Sequence, residues 1–312
     1  MEITSQLVKT LRDKTNAGMM DCTKALQECG GDIEKAVDWL RQKGLMTARK
    51  RAGRATKEGL VLTSVTADAK KGAVVELNSE TDFVSKMDSF REIADSLVGY
   101  LAQSAEAPAD VEALLAAKCP KCGETYGEVI NRAVGTTGEV IRLRRFKVVK
   151  AGPQGLVHGY VHGGGRLGVL VELDVEKPGP AADELAHNLA MHVAASNPMA
   201  IRVEDLSEEY LSRERAVHQA KAREEQEEKA RKNPKQKAPA DLEGLLSKMV
   251  EGKMRKTFTE LVLLEQPYVK DPAKNVATLV KEAARELGQV GIVSFVRFQL
   301  GEEIEGEAKA EE

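Results

Sequence analysis

The sequence predicts an α+β fold: a three-helix N-terminal module, two repeated α+β subdomains, and an antiparallel helical hairpin inserted into the second of them. Three observations lead there. Residues 1 to about 46 carry apolar positions at helical spacing. Residues 59–77 recur 96 positions later, at 155–173. A long charged stretch from Glu208 is followed by an apolar stripe that begins at Leu242. Apolar recurrence every three or four residues marks a helix face, whereas short β-branched runs between glycines mark strands.

In the N-terminal module the helix faces are Ile3-Leu7-Leu11, Met19-Cys22-Leu26 and Ile33-Val37-Leu40. Gly18 and Gly30-Gly31 supply the breaks, and Asp32 stands where it can cap the third helix. A basic linker with Arg49, Lys50, Arg51, Arg54 and Lys57 completes this domain, residues 1–54.

The repeat organises the next two domains. Its identities are Gly59/Gly155, Leu60/Leu156, Val61/Val157, Val65/Val161, Gly72/Gly168, Val75/Val171, Glu76/Glu172 and Leu77/Leu173, without a gap. Each copy reads as strand, turn, strand, followed by a helical pattern at Phe90–Leu101 or Leu185–Ala195, which is the hairpin-and-helix unit of an α+β subdomain. In the first copy the apolar strand Ala73–Leu77 runs into a polar turn that carries Phe83 beside Asp82, one of only 6 Phe in 312 residues. Such a strand-to-helix corner is where a scaffold presents side chains to a partner, although Phe83 could equally plug the gap between strand and helix. Val140–Val149 closes this subdomain, residues 55–150, as a further strand. Gly291–Phe298 adds a strand to the second, which is assembled from 151–206 and 263–300.

Residues 207–262 form the insertion. Glu208–Lys232 is highly charged with few apolar anchors, Asn233–Pro239 breaks it, and Leu242-Leu245-Leu246-Met249-Val250 resumes a helical stripe. The tip has no core to join, so it is expected in solvent and dispensable. Residues 301–312 are an acidic tail expected to be disordered.

Composition narrows the function. At 42% hydrophobic and 30% charged the chain is ordinary for a soluble globular protein. No apolar run approaches the ~18 residues that span a bilayer, and Met1–Ser5 lacks a secretory layout, so a cytoplasmic location is expected. A net charge of -3 argues against a general nucleic-acid binder. The rival reading is RNA binding through the linker and a second basic cluster, Arg142, Arg144, Arg145 and Lys147. Cys119-Pro120-Lys121-Cys122-Gly123 has the spacing of half a zinc ribbon without its other half, and Cys22 and Cys29 share a helix face. Reduced thiols, with no metal and no cofactor, are the expectation, and a zinc module on Cys119 and Cys122 is the second rival. Gly163, Gly165 and Gly168 match a dinucleotide pattern, but a strand follows where phosphate needs a helix N-terminus. No Gly-x-Ser-x-Gly elbow accompanies the esterase-like string His162–Gly165, and no P-loop is present. Nucleotide hydrolysis by P-loop chemistry is therefore not expected.

Four blocks, Lys9–Leu26, Thr81-Asp82-Phe83-Val84, Ala190–Ser196 and Met249–Met254, fall in order along the chain. On them the sequence resembles the bacterial elongation factor Ts family, guanine-nucleotide exchange factors for the translational GTPase elongation factor Tu. The resemblance implies a UBA-like fold for the helical module, and a chain that binds elongation factor Tu in its GDP-bound and nucleotide-free states. It would perturb the Mg²⁺/phosphate site and promote GDP release during translation elongation. Thr81, Asp82, Phe83 and Val84 match the motif placed near that Mg²⁺ site, with Phe83 as wedge and Asp82 as its polar partner. Arg12, Met19 and Met20 match residues that grip the nucleotide-binding domain, and Val134 and His162 match further contacts. His162 could instead be an ordinary turn residue, and His192 reads as structural. The second subdomain is expected to hold another domain of the GTPase, and a homodimer within a 2:2 complex is one arrangement the resemblance allows.

Overall fold

The computed structural model describes residues 3–15, 17–51, 54–232 and 241–304. The hairpin tip, most of the acidic tail, and the side chains of Arg49, Lys50 and Arg51 lie outside what is described. Along the chain, α1 (Ser5–Thr15), α2 (Met19–Glu28) and α3 (Ile33–Arg51) precede β1 (Glu58–Val65) and β2 (Lys71–Ser79). Then come α4 (Asp82–Ser85), α5 (Asp88–Gln103), α6 (Val111–Ala116), α7 (Tyr126–Thr137) and β3 (Ile141–Lys150). The second repeat supplies β4 (Gly155–His162), β5 (Leu167–Val175) and α8 (Pro180–Ser196), and the hairpin is α9 (Glu208–Lys232) with α10 (Leu242–Leu261). The chain closes with β6 (Pro267–Tyr268), β7 (Asp271–Asn275), α11 (Val276–Leu287) and β8 (Val290–Gln299). Mixed helix and antiparallel sheet make this the expected α+β protein.

Two compact units divide the chain, Met1–Glu172 with Phe295–Glu312, and Leu173–Ser294, so β5 and β8 each run from one unit into the other. In the first unit, the helical module packs Val8, Leu11, Cys22, Ala25, Leu26 and Ala36 into a small core. Gly30 and Gly31 end α2 at positive φ, with the Gly31 N–H donating to Leu26 O and the Gly30 N–H to Gln27 O, a Schellman closure. Asp32 caps α3 as expected, accepting from the Lys35 N–H at 3.1 Å. The third helix is longer than its apolar pattern suggested and carries on to Arg51.

The first sheet has the order β1-β2-β3, antiparallel, with Leu60 opposite Leu77 and Val75 opposite Phe146. Central β2 is buried from Gly72 to Ser79 because both its faces are covered. Ala73, Val75 and Leu77 meet α5 and α7 side chains such as Phe90, Leu97 and Ile130. Val74, on the opposite face, meets Val61, Val149, Val157 and Leu170. Period-2 alternation lets one strand serve two cores. A second sheet has the order β4-β5-β8.

The second unit buries Ala182, Leu185, Ala186, Leu189, Ala190 and Val193 along α8. His192 lies fully inside, within hydrogen-bonding distance of Gln266 Oε1 (2.9 Å) and accepting from the Val269 N–H at Nδ1 (3.2 Å). Since Nδ1 accepts, the proton sits on Nε2 and is donated to Gln266. The hairpin helices meet through buried Ala222 and Met254 and through Lys253–Glu225 at 2.6 Å. Its few apolar anchors agree with the pattern read from sequence.

Candidate functional site

The corner after β2 is braced by two carboxylates. Glu139 accepts from the Thr81 hydroxyl at 2.6 Å and from the Thr81 N–H at 3.0 Å. Glu80 accepts from the Val140 N–H at 2.8 Å and is paired with Arg54 at 3.1 Å. The β2–α4 and α7–β3 connections are thereby tied to each other. Inside the corner, the Ser79 hydroxyl donates to Thr81 O (2.8 Å) and the Ser85 hydroxyl to Asp82 O (3.0 Å).

Helical geometry then decides where Phe83 points. Successive residues on a helix diverge by about 100°. With Val84 and Ser85 turned into the protein, Phe83 faces out and is 81% exposed. The gap between strand and helix is filled by Val84 and Phe90, which excludes the plug reading. Asp82 pairs with Lys86 at 2.6 Å, and this hydrogen bond and charge hold its carboxyl below the usual carboxylate range, with Arg166 adding to the attraction. The corner thus offers a bare ring beside a fixed negative charge.

Other residues singled out from sequence fall on different elements. Arg12 is exposed near the end of α1, and Met19 and Met20, at the start of α2, are 59% and 85% exposed. Two bare methionines on one helix start make an adaptable apolar surface. His162 is exposed at the end of β4, where Tyr160 stacks on it and the phenol oxygen lies 2.9 Å from Nδ1. The Gly163, Gly164 and Gly165 turn that follows runs at positive φ into strand β5, so the dinucleotide pattern has no helix behind it. Val134 lies inside α7 and is 1% exposed, part of the core and not of a surface. Arg144 and Arg145 of the second basic cluster turn inward onto Glu76, at 3.1 and 2.7 Å. Sequence reasoning missed Glu80 and Glu139; neither lies in a pattern, and only the folded corner shows what they hold.

A family model described as elongation factor TS matches residues 80–302. Over the full length of both chains, the sequence is 42% identical to elongation factor Ts of Nitratidesulfovibrio vulgaris. The chain belongs to the elongation factor Ts family. The same holds at 41% identity against Symbiobacterium thermophilum, over 97% of this chain and 94% of the relative, and at 39% against Aquifex aeolicus, over 96% and 99%. Membership makes this an elongation factor of protein biosynthesis. Glu80, Thr81 to Ser85, Glu139 and Val140 of the corner lie within the part matched by the elongation factor Ts model, whereas Arg12, Met19, Met20, Arg54 and Ser79 precede it. No helix among the described residues is long and apolar enough to cross a membrane.

Proposed function

We propose that this chain is the guanine-nucleotide exchange factor of elongation factor Tu, acting in the cytoplasm by binding alone. Nucleotide release from a GTPase is slow because Mg²⁺ and the phosphate loop hold the diphosphate through many charge-assisted contacts. A protein that binds the loosened state more tightly than the closed one shifts that balance, about tenfold for each 1.4 kcal/mol of difference. The observation that carries this reading is Phe83, a ring held out of its own core on a corner fixed by Glu80 and Glu139. A backbone corner already held in place loses little further freedom on docking, so that part of the ordering cost does not offset burial of the ring. Burying such a ring is worth about 1.5–3 kcal/mol.

In this mechanism Phe83 enters near the Mg²⁺ site, with Thr81 and Val84 holding its backbone and Asp82 offering a negative charge to groups around the cation. Arg12, Met19 and Met20 grip the nucleotide-binding domain. Val134 contributes from beneath, as core support for α7, and His162 at the tip of β4. The test is release of a fluorescent GDP analogue from elongation factor Tu of the same organism. Wild type should accelerate release, and Phe83→Ala should lower that acceleration by roughly ten- to a hundredfold while its thermal melt is unchanged. Equal rates for the two proteins would remove the wedge. Light scattering of the complex decides between a 1:1 and a 2:2 assembly built on a homodimer.

A further inference from the structure

The turn that joins α6 to α7 holds the chemistry that exchange leaves unused. Lys118 and Thr125 are bridged, the Cys119 N–H donates to Glu124 O at 2.8 Å, and the Gly123 N–H donates to Cys119 O at 2.9 Å. Gly123 adopts φ 75°, a left-handed conformation that suits glycine, and this closes the turn tightly around Pro120 and Lys121. Cys119 is 5% exposed and Cys122 is exposed; both are free thiols. Cys119 opens this turn and Cys122 stands at its far end, one residue before the Gly123 N–H that closes back onto Cys119 O. The Ser96 hydroxyl, on α5, lies 3.6 Å from the Cys119 sulfur, and Tyr126 donates to Ser96 O at 2.9 Å behind it.

We propose that Cys119 and Cys122 form a thiol–disulfide site, oxidised by small-molecule disulfides and reopened by thiol reductants. The exposed Cys122 thiolate attacks one sulfur of the oxidant, forming a mixed disulfide and releasing one thiolate. The Cys119 thiolate then attacks the Cys122 sulfur, forms the Cys119–Cys122 bond and expels the second thiolate. The oxidant takes up two electrons and, with the two protons given up by the protein thiols, leaves as two thiols. Burial pushes the Cys119 thiol up, but hydrogen bonds from Ser96, from the Cys122 thiol and from the N–H groups of Cys122 and Lys121 outweigh it and hold the thiol below its ordinary value. That favours the thiolate needed for the second step. Partial desolvation of its sulfur, with Cys119 and Glu124 adding to it, raises the Cys122 thiol, so the first step draws on the accessibility of Cys122 and not on a high thiolate fraction. Among the described residues no group of three or more His, Cys, Asp or Glu could hold a metal. Cys22 is buried with its thiol raised by that burial, and this disfavours its oxidation.

The experiment equilibrates the full chain in glutathione buffers from reducing to oxidising, quenches with an alkylating agent, and maps the peptides without reduction. The expected result is loss of two of the four thiols, a Cys119–Cys122 link within one chain, and full recovery in dithiothreitol. Cys122→Ser, at an exposed position, should keep the fold and lose the link. Gly123→Ala should keep all four thiols when reduced but lower the equilibrium constant for closure by about tenfold, because alanine strains the turn. The proposal is overturned by absence of the linked peptide at the oxidising limit. It is equally overturned by Cys122 ending as a stable mixed disulfide or a link between two chains, or by one equivalent of zinc that blocks alkylation of the purified protein.

Discussion

At Glu76 a carboxylate is taken fully out of water and met by Arg144, Arg145, the Asn78 amide and the Gly301 N–H. Arg145 goes on to stack over Phe298 at 4.0 Å and to bind Glu302, so the chain after β8 is pinned to β2 by one buried acid. Removing one member of such a group leaves uncompensated charge. Glu76→Ala is expected to cost about 3 kcal/mol in urea unfolding, the low end for a buried pair, because both guanidinium groups keep some exposure. His192 makes a second prediction at this scale. Its burial lowers the imidazole pKa below 6.5, and the Gln266 hydrogen bond, which raises it, offsets this only in part. The unfolded chain therefore takes up a proton at higher pH than the folded one. Stability is complete above pH ~6.5 and declines as pH falls through that value towards the folded pKa. Melting temperatures at pH 7.5 and 5.5 should differ by more in wild type than in His192→Gln; an equal difference would exclude the histidine as the cause. Both residues were visible in the sequence, one as half of the repeat identity Glu76/Glu172 and the other as a histidine among small apolar neighbours. Apart from Asn78, two residues on from Glu76, their partners come from chain positions 68 to 225 residues away, a distance at which no local pattern operates.

Elements carry the next level of the design. Helix α3 crosses α7 where Gly44 and Gly135 face each other, and a Cβ added at Gly44 would stand 2.9 Å from Asn131 O. Arg41 pairs with Glu128 beside that crossing. The helical module is thus seated on α7 by backbone contact, the closest approach two helices can make. Alanine is the better helix former by about 0.8–1 kcal/mol, so Gly44→Ala should stabilise α3 if seating were irrelevant. We expect the reverse, a lower melting temperature and faster hydrogen exchange in α3, together with weaker binding to elongation factor Tu through a displaced Met19 and Met20. A higher melting temperature would show that the crossing contributes nothing. Helix α7 was not read from the sequence, although Thr125 and Glu128 form a capping box and Tyr126, Ile130 and Val134 lie at helical spacing. Helix α11 was likewise not read, although Val276, Leu279, Val280, Ala283 and Leu287 lie at helical spacing. What the pattern could not show is which buried residue faces a partner: Val134 has the spacing of a core position and, at 1% exposure, is one.

Across the whole chain the repeat explains more than two similar hairpins. A Cβ at Gly72 would lie 2.6 Å from Val157 Cγ1, and a Cβ at Gly168 would lie 2.6 Å from Val61 Cγ1. Gly72 and Gly168 are repeat equivalents, and so are Val61 and Val157. The copies therefore pack reciprocally, each valine entering the space left by the other's glycine, as in an interface between two like subunits. Gly72→Ala and Gly168→Ala should each destabilise the protein by about 1–3 kcal/mol, the usual cost of overpacking. Val61→Ala should relieve Gly168→Ala, and Val157→Ala should relieve Gly72→Ala, whereas the crossed pairs should add. Additive costs in all four combinations would sink the reciprocal arrangement. By itself the sequence determined the α+β class, the helical module, the repeated hairpins, the helical insertion and the family, because periodicity, turn residues and motif order are local properties of the chain. Only the tertiary structure decided that Phe83 stands outside its core, that Arg144 and Arg145 turn inward, and that Glu80 and Glu139 brace the corner. Exposure and charge pairing depend on which distant surfaces are brought together, and burial of apolar area, which brings them together, carries no direction of its own.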